Sequence, residues 1–312
     1  MSQLLAERID PDDRVVRSIF GTTDPEAIWQ EILTLCPEAV ECFRFEAGAG
    51  ALLGVVVRGG DRVALKVHRT ATAERLDAMQ QVQEHLWRYG FPCPRPLGVR
   101  GRATLEEWRD AGAYRDAHET DARRALARLL VRLVTLTRGV RPAADLPPFF
   151  PGPGGPLWPV PHTVLFDFEA TREGAEWIDE IAQEARERRD AAGGAVVIGH
   201  HDWTAKHVRF AGIEATAVYD WGSMSVGFEP VFAGEAAAHF TYDVEPLPTV
   251  DEAFMFIADY ERARPAPFTR EEQATASAAA VYARAYTTRC THALGGDTAA
   301  LSLPAYAAAL LQ

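Results

Sequence analysis

The sequence predicts an α+β chain, with a small antiparallel sheet in its first third and a larger, mainly helical remainder. Three observations carry this. Residues 40–68 hold β-branched and apolar runs separated by turn chemistry. Beyond residue 116, apolar residues recur at three- and four-residue spacing over long stretches. Hydrophobic residues make up 47% and charged residues 24%, a globular balance, and 312 residues allow one large domain or two ordinary ones.

Residues 24–37, DPEAIWQEILTLCP, form the first helix, with Asp24 as N-cap and Pro25 at the first position, where its missing N–H is not needed. Strand material follows in VECFRFEAG. Residues 52–68 then read as a hairpin, turned at Arg58-Gly59-Gly60-Asp61. TAERLDAMQQVQEHLWRYG is a helix ended by Gly90, FPCPRPLGV is extended, and RATLEEW is a further strand. A boundary is therefore placed after residue 107, dividing a first lobe (1–107) from a second (108–312). The second opens with an amphipathic helix from Asp116 to about Thr137, its stripe made by Leu126, Leu129, Leu130, Leu133 and Leu136. RPAADLPPFFPGPGGPLWPVPH is a long loop, either functional or packed down by its own aromatics. TREGAEWIDEIAQEARERRDA is a helix with Thr171 as the expected N-cap. Two strands, AVVIGHHD and ATAVYDWGS, are joined through HVRFAGIE, and the chain beyond residue 228 is mostly helical.

Net charge is −12, which argues against a protein that binds nucleic acid through its phosphates. It is unevenly spread, 17 acids to 14 bases up to residue 110 and 27 to 18 beyond, which serves solubility or draws a cationic small molecule to the second lobe. No uncharged apolar run reaches the roughly 18 residues of a membrane span. The start, MSQLLAERIDPDD, lacks the basic and apolar regions of a signal peptide. Cys36, Cys42, Cys93 and Cys290 show no CxxC spacing and read as reduced thiols of a cytoplasmic protein. Of 32 basic residues only Lys66 and Lys206 are lysines, which marks them as places that need a compact ammonium.

The stretch VVIGHHDWTAKHVRF, residues 196–210, concentrates the chemistry. Asp202 ends one apolar strand, and Asp220, followed by Trp221-Gly222, ends another. Paired as a hairpin, the two strands bring both carboxylates to one sheet edge, one to take a proton and the other to hold a divalent cation. The plainer alternative is that each aspartate caps a turn. The cluster His200, His201, Asp202 and His207 also admits a zinc hydrolase. His68, His85 and His239 sit in apolar patterns and read as packing or surface histidines.

His200-x-Asp202 with a polar residue five places on, followed by Asp220-Trp221-Gly222, resembles the catalytic loop and metal-binding motif of the kinase fold. The histidine before the first aspartate and the Trp-Gly after the second are similar to aminoglycoside phosphotransferases and their small-molecule kinase relatives. VALKVH resembles the third-strand lysine motif. LEEW at 105–108 falls where that family has its inter-lobe linker, and EAGAGALLG, with Gly48, Gly50 and Gly54, where it has its nucleotide loop. Order and spacing match from about residue 44 to 240.

The resemblance implies a two-lobed, protein-kinase-like phosphotransferase that moves the γ-phosphoryl of ATP, or of GTP, to a hydroxyl of a small molecule. An aminoglycoside, another antibiotic, choline or an amino alcohol would each suit it. Asp202 would be the base or orienter of that hydroxyl, Asp220 a magnesium ligand, and Lys66 a phosphate partner. Gly48 and Gly50 would lie at the nucleotide, backbone around Glu107 and Trp108 at adenine, and Lys206 at the transferred group. His207 departs from the pattern, standing where the family has an asparagine that ligates magnesium. Imidazole favours softer ions, so Mn2+ joins Mg2+ as an expected cation, with His207 as a ligand. The same departure makes a non-catalytic nucleotide-binding protein the main alternative. The helix after Lys66 should supply a glutamate to pair with it, and Glu74 and Glu84 are both available. Glu229 and Glu235 open the helix where the family builds its acceptor pocket, although acids also suit a first helical turn.

Overall fold

The structure is a computed structural model describing residues 3–142, 144–191, 193–241 and 246–312. It is a two-lobed, protein-kinase-like α+β fold. Three helices precede the sheet: α1 (Gln3–Arg8), α2 (Arg14–Phe20) and α3 (Pro25–Leu35). Asp13 caps α2 by accepting from the amides of Val15 and Val16, and Asp24 caps α3 by accepting from that of Glu26, as its position before Pro25 predicts. β1 (Ala39–Ala47), β2 (Gly50–Val57), β3 (Arg62–His68), α4 (Ala73–Arg88), β4 (Pro96–Arg100) and β5 (Ala103–Glu107) follow. The five strands form one antiparallel sheet in the order β1-β2-β3-β5-β4.

One face of this sheet and the helix α4 belong to different cores. Period-2 alternation sends Leu53, Val55, Leu65 and Leu105 to one side, where they pack with Leu5, Val16, Ile19, Ile28 and Ile32 of the first three helices. On α4, Leu76, Met79, Val82 and Leu86 belong instead to the larger core, which they share with the helices that follow. Thus α4 bridges the sheet, through β4 and β5, and the core of the second lobe, while the outer sheet face is covered by α1, α2 and α3.

The second lobe comprises α5 (Thr120–Thr137), α6 (Glu176–Ala191), β6 (Val196–His200), β7 (Val208–Ala211), β8 (Glu214–Val218), β9 (Met224–Phe228), α7 (Glu229–His239), α8 (Val250–Ala263), α9 (Arg270–Ala293) and α10 (Leu303–Leu310). α7 and α9 cross so closely at Gly234 that a Cβ there would sit 2.0 Å from the Ala276 carbonyl oxygen. Phe150 and Trp158, from the long loop before α6, lay their rings 5.0 and 5.6 Å from that of Tyr282 on α9. Cys36, Cys42, Cys93 and Cys290 are all buried. Among the described residues no helix is long and apolar enough to cross a membrane.

Two sequence expectations need correction. The strands before Asp202 and Asp220 do not pair with each other: β6 pairs with β9 and β7 with β8, in two separate ladders. Thr171 caps no helix, because α6 begins at Glu176. Its hydroxyl instead accepts a hydrogen bond from Arg289 of α9 at 3.0 Å, while the same guanidinium donates to the Phe168 carbonyl at 2.5 Å, tying the loop to α9.

Candidate active site

Asp202 lies two residues beyond β6, Asp220 two beyond β8, and His207 ends a single 3-10 turn, Ala205–His207. Each ladder runs one pair further, and the His200 side chain then ties one to the other. The Tyr219 amide donates to the His207 carbonyl at 2.8 Å, and the His201 amide to that of Ser223 at 3.0 Å. The buried His200 ring places Nε2 3.3 Å from the Tyr219 carbonyl. One ligand atom from each of Asp202, His207 and Asp220 then falls within 4.8 Å of the others. His207 Nε2 is 2.9 Å from Asp202 Oδ2 and 3.8 Å from Asp220 Oδ2, and Lys206 Nζ is 3.3 Å from Asp202 Oδ2.

Asp220 is left-handed, at φ 60 and ψ 49, a conformation costly for most L-residues and better tolerated by aspartate. It is held by the Ser223 amide donating to its carbonyl at 3.0 Å and the Ser223 hydroxyl donating to Oδ2 at 2.5 Å. The buried Trp221 fixes the turn through Nε1, which donates to the Val218 carbonyl at 3.0 Å.

Burial opposes the charge on both aspartates, and the lysines and imidazole groups around them win. His207, Lys206 and His239 hold the Asp202 carboxyl well below the usual range. At Asp220 the same burial is outweighed by His207, Lys66 and His200. An ionised carboxylate only accepts, so His207 Nε2 carries the proton and donates it to Asp202. In that state the nitrogen is not a metal ligand. Neutral rings line the site beside this cluster. Burial brings His200 down to about 4 and His201 to about 3. The His201 ring stacks on Phe149 of the long loop, centroids 4.7 Å apart and planes 9° apart. His200 and His201 therefore stay outside the cluster, and the four-residue zinc set is not assembled among the described residues.

Lys66 reaches the site from β3, and its partner is neither expected glutamate. Glu84 pairs with Arg88 at 2.7 Å, and Glu74 is exposed at the start of α4. Lys66 Nζ instead lies 3.2 Å from Glu106 Oε1 on β5. Gln83 of α4 donates to Glu106 Oε2 at 2.7 Å and to the Pro94 carbonyl at 3.0 Å. The inward turns of α4 offer the amides of Gln80 and Gln83 where a carboxylate was expected. The missed signal lay in register. Lys66 faces Thr104 and Ala64 faces Glu106 across β3–β5, so Lys66 and Glu106 share one face on a diagonal.

The other predicted residues are distributed as follows. Gly48 and Gly50 form the β1–β2 turn, closed by the Gly48 amide donating to the Gly50 carbonyl at 2.8 Å. At Gly50 a Cβ would meet the Val67 carbonyl oxygen at 2.5 Å, whereas Gly48 stands in open space. The amides of Glu107 and Trp108 are already used, donating to the Arg95 and Arg62 carbonyls at 2.9 and 3.2 Å. Trp108 packs edge-on against Phe43, centroids 4.8 Å apart.

Three histidines gain a clearer place. His68 Nε2 lies 3.1 Å from the Thr104 hydroxyl, and burial, together with Lys66, brings it down to about 4 against the pull of Asp220. His239 donates to the His201 carbonyl at 3.2 Å. His162, at the end of the long loop, has Nδ1 2.9 Å from the Tyr286 hydroxyl and is close enough to feel Asp202 and Lys206. Glu229 is engaged in the core, accepting from Arg264 at 2.7 Å and from the Tyr260 hydroxyl at 3.0 Å. Glu235 is 4% exposed, and its Oε2 has no hydrogen-bond partner among the described residues. Burial pushes this carboxyl up to about 8 against the pull of Arg189.

This architecture recurs in solved structures. An amicoumacin kinase in complex with AMP-PNP, Ca2+ and Ami matches with a TM-score of 0.65 over 92% of this chain and 93% of that one, at 12% identity. A choline kinase from Streptococcus pneumoniae gives 0.60 over 91% and 98%, also at 12% identity. A microcompartment-associated aminopropanol kinase gives 0.59 over 92% and 95%, at 15% identity. At such identities the likeness speaks to the fold. No curated protein matches by sequence. A family model does match, over residues 44–284, from β1 into α9 and across every residue of the cluster above, and on that match the chain belongs to the phosphotransferase enzyme family.

Proposed function

We propose that the protein transfers the γ-phosphoryl group of ATP to a hydroxyl of a small molecule. The observation that carries this reading is the meeting of the lobes: the end of β3, the strand that bears Lys66, sets His68 against Gly222, beside the Asp202–His207–Asp220 cluster of the second lobe. Two carboxylates kept ionised by their neighbours suit a hard divalent cation, Mg2+ or Mn2+. Asp220 would hold it, and the bound ion would neutralise charge between the β- and γ-phosphates.

Lys66 brings a fixed positive charge to the phosphates. Asp202, held ionised by His207 and Lys206, is a weak base and an effective acceptor, so its part is to receive the hydrogen bond of the substrate hydroxyl and aim that oxygen in line. His207 holds the Asp202 carboxylate in place through its donated proton. Lys206, 3.3 Å from the same oxygen, adds charge beside the transferred group. The Gly48–Gly50 turn covers the nucleotide. Because the Glu107 and Trp108 amides are engaged, we assign adenine contact to other backbone groups of that linker.

The structural neighbours are kinases named for amicoumacin, aminopropanol and choline. With a net charge of −12, a cationic hydroxyl compound such as an aminoglycoside or an amino alcohol is the acceptor class to screen first, with antibiotic resistance as one outcome. A cytoplasmic protein fits an ATP-dependent reaction. The hydrogen bond from His207 to Asp202 favours one second reading, a nucleotide-binding protein that transfers nothing.

The test is a thermal-shift screen with ATP, GTP and Mg2+, then phosphate transfer across a panel of cationic alcohols, with Lys66→Ala as control. ATP with Mg2+ should raise the melting temperature of wild type and not of Lys66→Ala. Stoichiometric zinc together with indifference to every nucleotide would overturn the proposal.

A further inference from the structure

We propose that Glu106 is the positioning residue for Lys66, and that the carboxylate of the lysine's ion pair stands on the sheet and not on the helix α4. The inference rests on the phosphotransferase reading above, which gives Lys66 its task. Its basis is the contact set around one buried carboxylate. Glu106 is 4% exposed at its side chain and Lys66 14%, so the pair is shielded from water and screened little by salt. Oε1 faces Lys66 at 3.2 Å and Oε2 accepts from Gln83 at 2.7 Å, so each oxygen has its own partner. Gln83 is 1% exposed, and the same Nε2 also donates to the Pro94 carbonyl. The amide of Gln83 therefore does for Glu106 what a charge would otherwise do, fixing its rotamer without competing for Lys66.

The location of the carboxylate changes what controls the lysine. Both ends of the pair stand on neighbouring strands whose register runs unbroken from Val63↔Glu107 to Val67↔Ala103. Their spacing is set by a hydrogen-bonded ladder. α4 touches this sheet too, the Gly98 amide donating to Gln80 Oε1 at 3.0 Å, but its apolar side packs into the core of the second lobe. A lysine paired to a carboxylate on α4 would be aimed by how the lobes sit together. Paired to Glu106, it is aimed by its own sheet, and α4 touches the pair only through a neutral amide. Lys66 is thus set for phosphate before any nucleotide draws the lobes together.

The experiment uses the full-length protein and three variants, Glu106→Gln, Gln83→Glu and the exchange Gln83→Glu/Glu106→Gln. ATP affinity is measured by calorimetry, and turnover as phosphate release from ATP to water or to an acceptor found in the screen. All measurements are made well below the melting temperature of each variant. Glu106→Gln should lower kcat by about 10- to 100-fold, the order expected when a catalytic group is misplaced by about an ångström, with ATP affinity changed by no more than about threefold. A merely structural role would not split kcat from affinity in this way. The exchange returns a carboxylate to within reach of Lys66 from α4, and should recover kcat to within about threefold of wild type. Should Glu106→Gln fail to fold, the exchange and Glu106→Asp, which keeps the charge and shortens its reach, decide the matter. A folded exchange with full turnover supports the inference. A folded exchange or Glu106→Gln that contradicts these values overturns it, as does a Glu106→Asp with wild-type kcat. Wild type that neither binds nor hydrolyses ATP would instead bring down the phosphotransferase reading, and this inference with it.

Discussion

Replacing Glu235 by glutamine should change how stability depends on pH. The carboxyl is raised from 4.5 to about 8 because burial penalises its charge, with Arg189 only partly compensating. Between these values the unfolded chain has lost the proton while the folded chain keeps it. The unfolded state then binds fewer protons, so stability falls as pH rises through this window and levels off above about 8. At about 1.4 kcal/mol per pH unit, the shift amounts to roughly 5 kcal/mol in full and roughly 2.5 kcal/mol between pH 5 and 7. Spread over the unfolding entropy of a chain of this length, the latter is about 4 °C in Tm. Glutamine cannot ionise, so Glu235→Gln removes this dependence. Its amide needs partners of its own, and that cost of roughly 1–3 kcal/mol is the same at every pH. Thermal denaturation of both proteins at pH 5 and pH 7 isolates the effect. The Tm of Glu235→Gln minus that of wild type should rise by about 4 °C from the lower to the higher pH. Two parallel curves, offset by a constant, would refute the reasoning.

Asp202→Asn keeps the shape of the carboxylate and loses its charge, so turnover should fall by about 10²-fold or more while ATP affinity, by calorimetry, stays within about threefold. Equal losses in both would mark a structural role. His207→Asn retains a donor toward Asp202 and adds an oxygen near Asp220, so turnover with Mg2+ should rise relative to turnover with Mn2+. A fall with both ions would make the imidazole itself essential. Gly50→Ala forces a methyl to 2.5 Å from the Val67 carbonyl and should destabilise the sheet by about 1–3 kcal/mol in chemical denaturation, while Gly48→Ala, in open space, should be nearly silent. Equal effects at the two glycines would mean that the turn relaxes as a unit.

Lys66, Asp202 and Asp220 were legible in the sequence because each stands in a short local pattern: two scarce lysines, a strand-loop aspartate, and a second aspartate before Trp-Gly. The structure brings Lys66 to bear on Asp220 from the other lobe. Glu106 was not legible, since its meaning depends on a ladder register between strands forty residues apart, whereas Glu74 and Glu84 stand in the helix that directly follows Lys66. The false hairpin has a similar cause. β9, Met224–Phe228, follows the Trp-Gly so closely that nothing local shows which strand β6 will choose. At Thr171 cap chemistry was present without a helix, because Arg289, distant in sequence, claims the hydroxyl. The six- and seven-residue helices α1 and α2 are too short for a periodic signal. The burial of Glu235 left no trace in sequence, because an acid in the first turns of a helix is ordinarily unremarkable.

The covering of the outer sheet face by α1, α2 and α3 bears on the order in which the protein can be made. These helices have 6, 7 and 11 residues, and isolated helices below roughly 12–15 residues are marginal in water. They leave the ribosome before the sheet does, so the leucines that hold them, from Leu53 to Leu105, are translated later. Until β5 is made, Leu5, Ile19, Ile28 and Ile32 have no finished surface to bury against. These helices wait for their sheet, and until it is complete they stay open to chaperones and proteases.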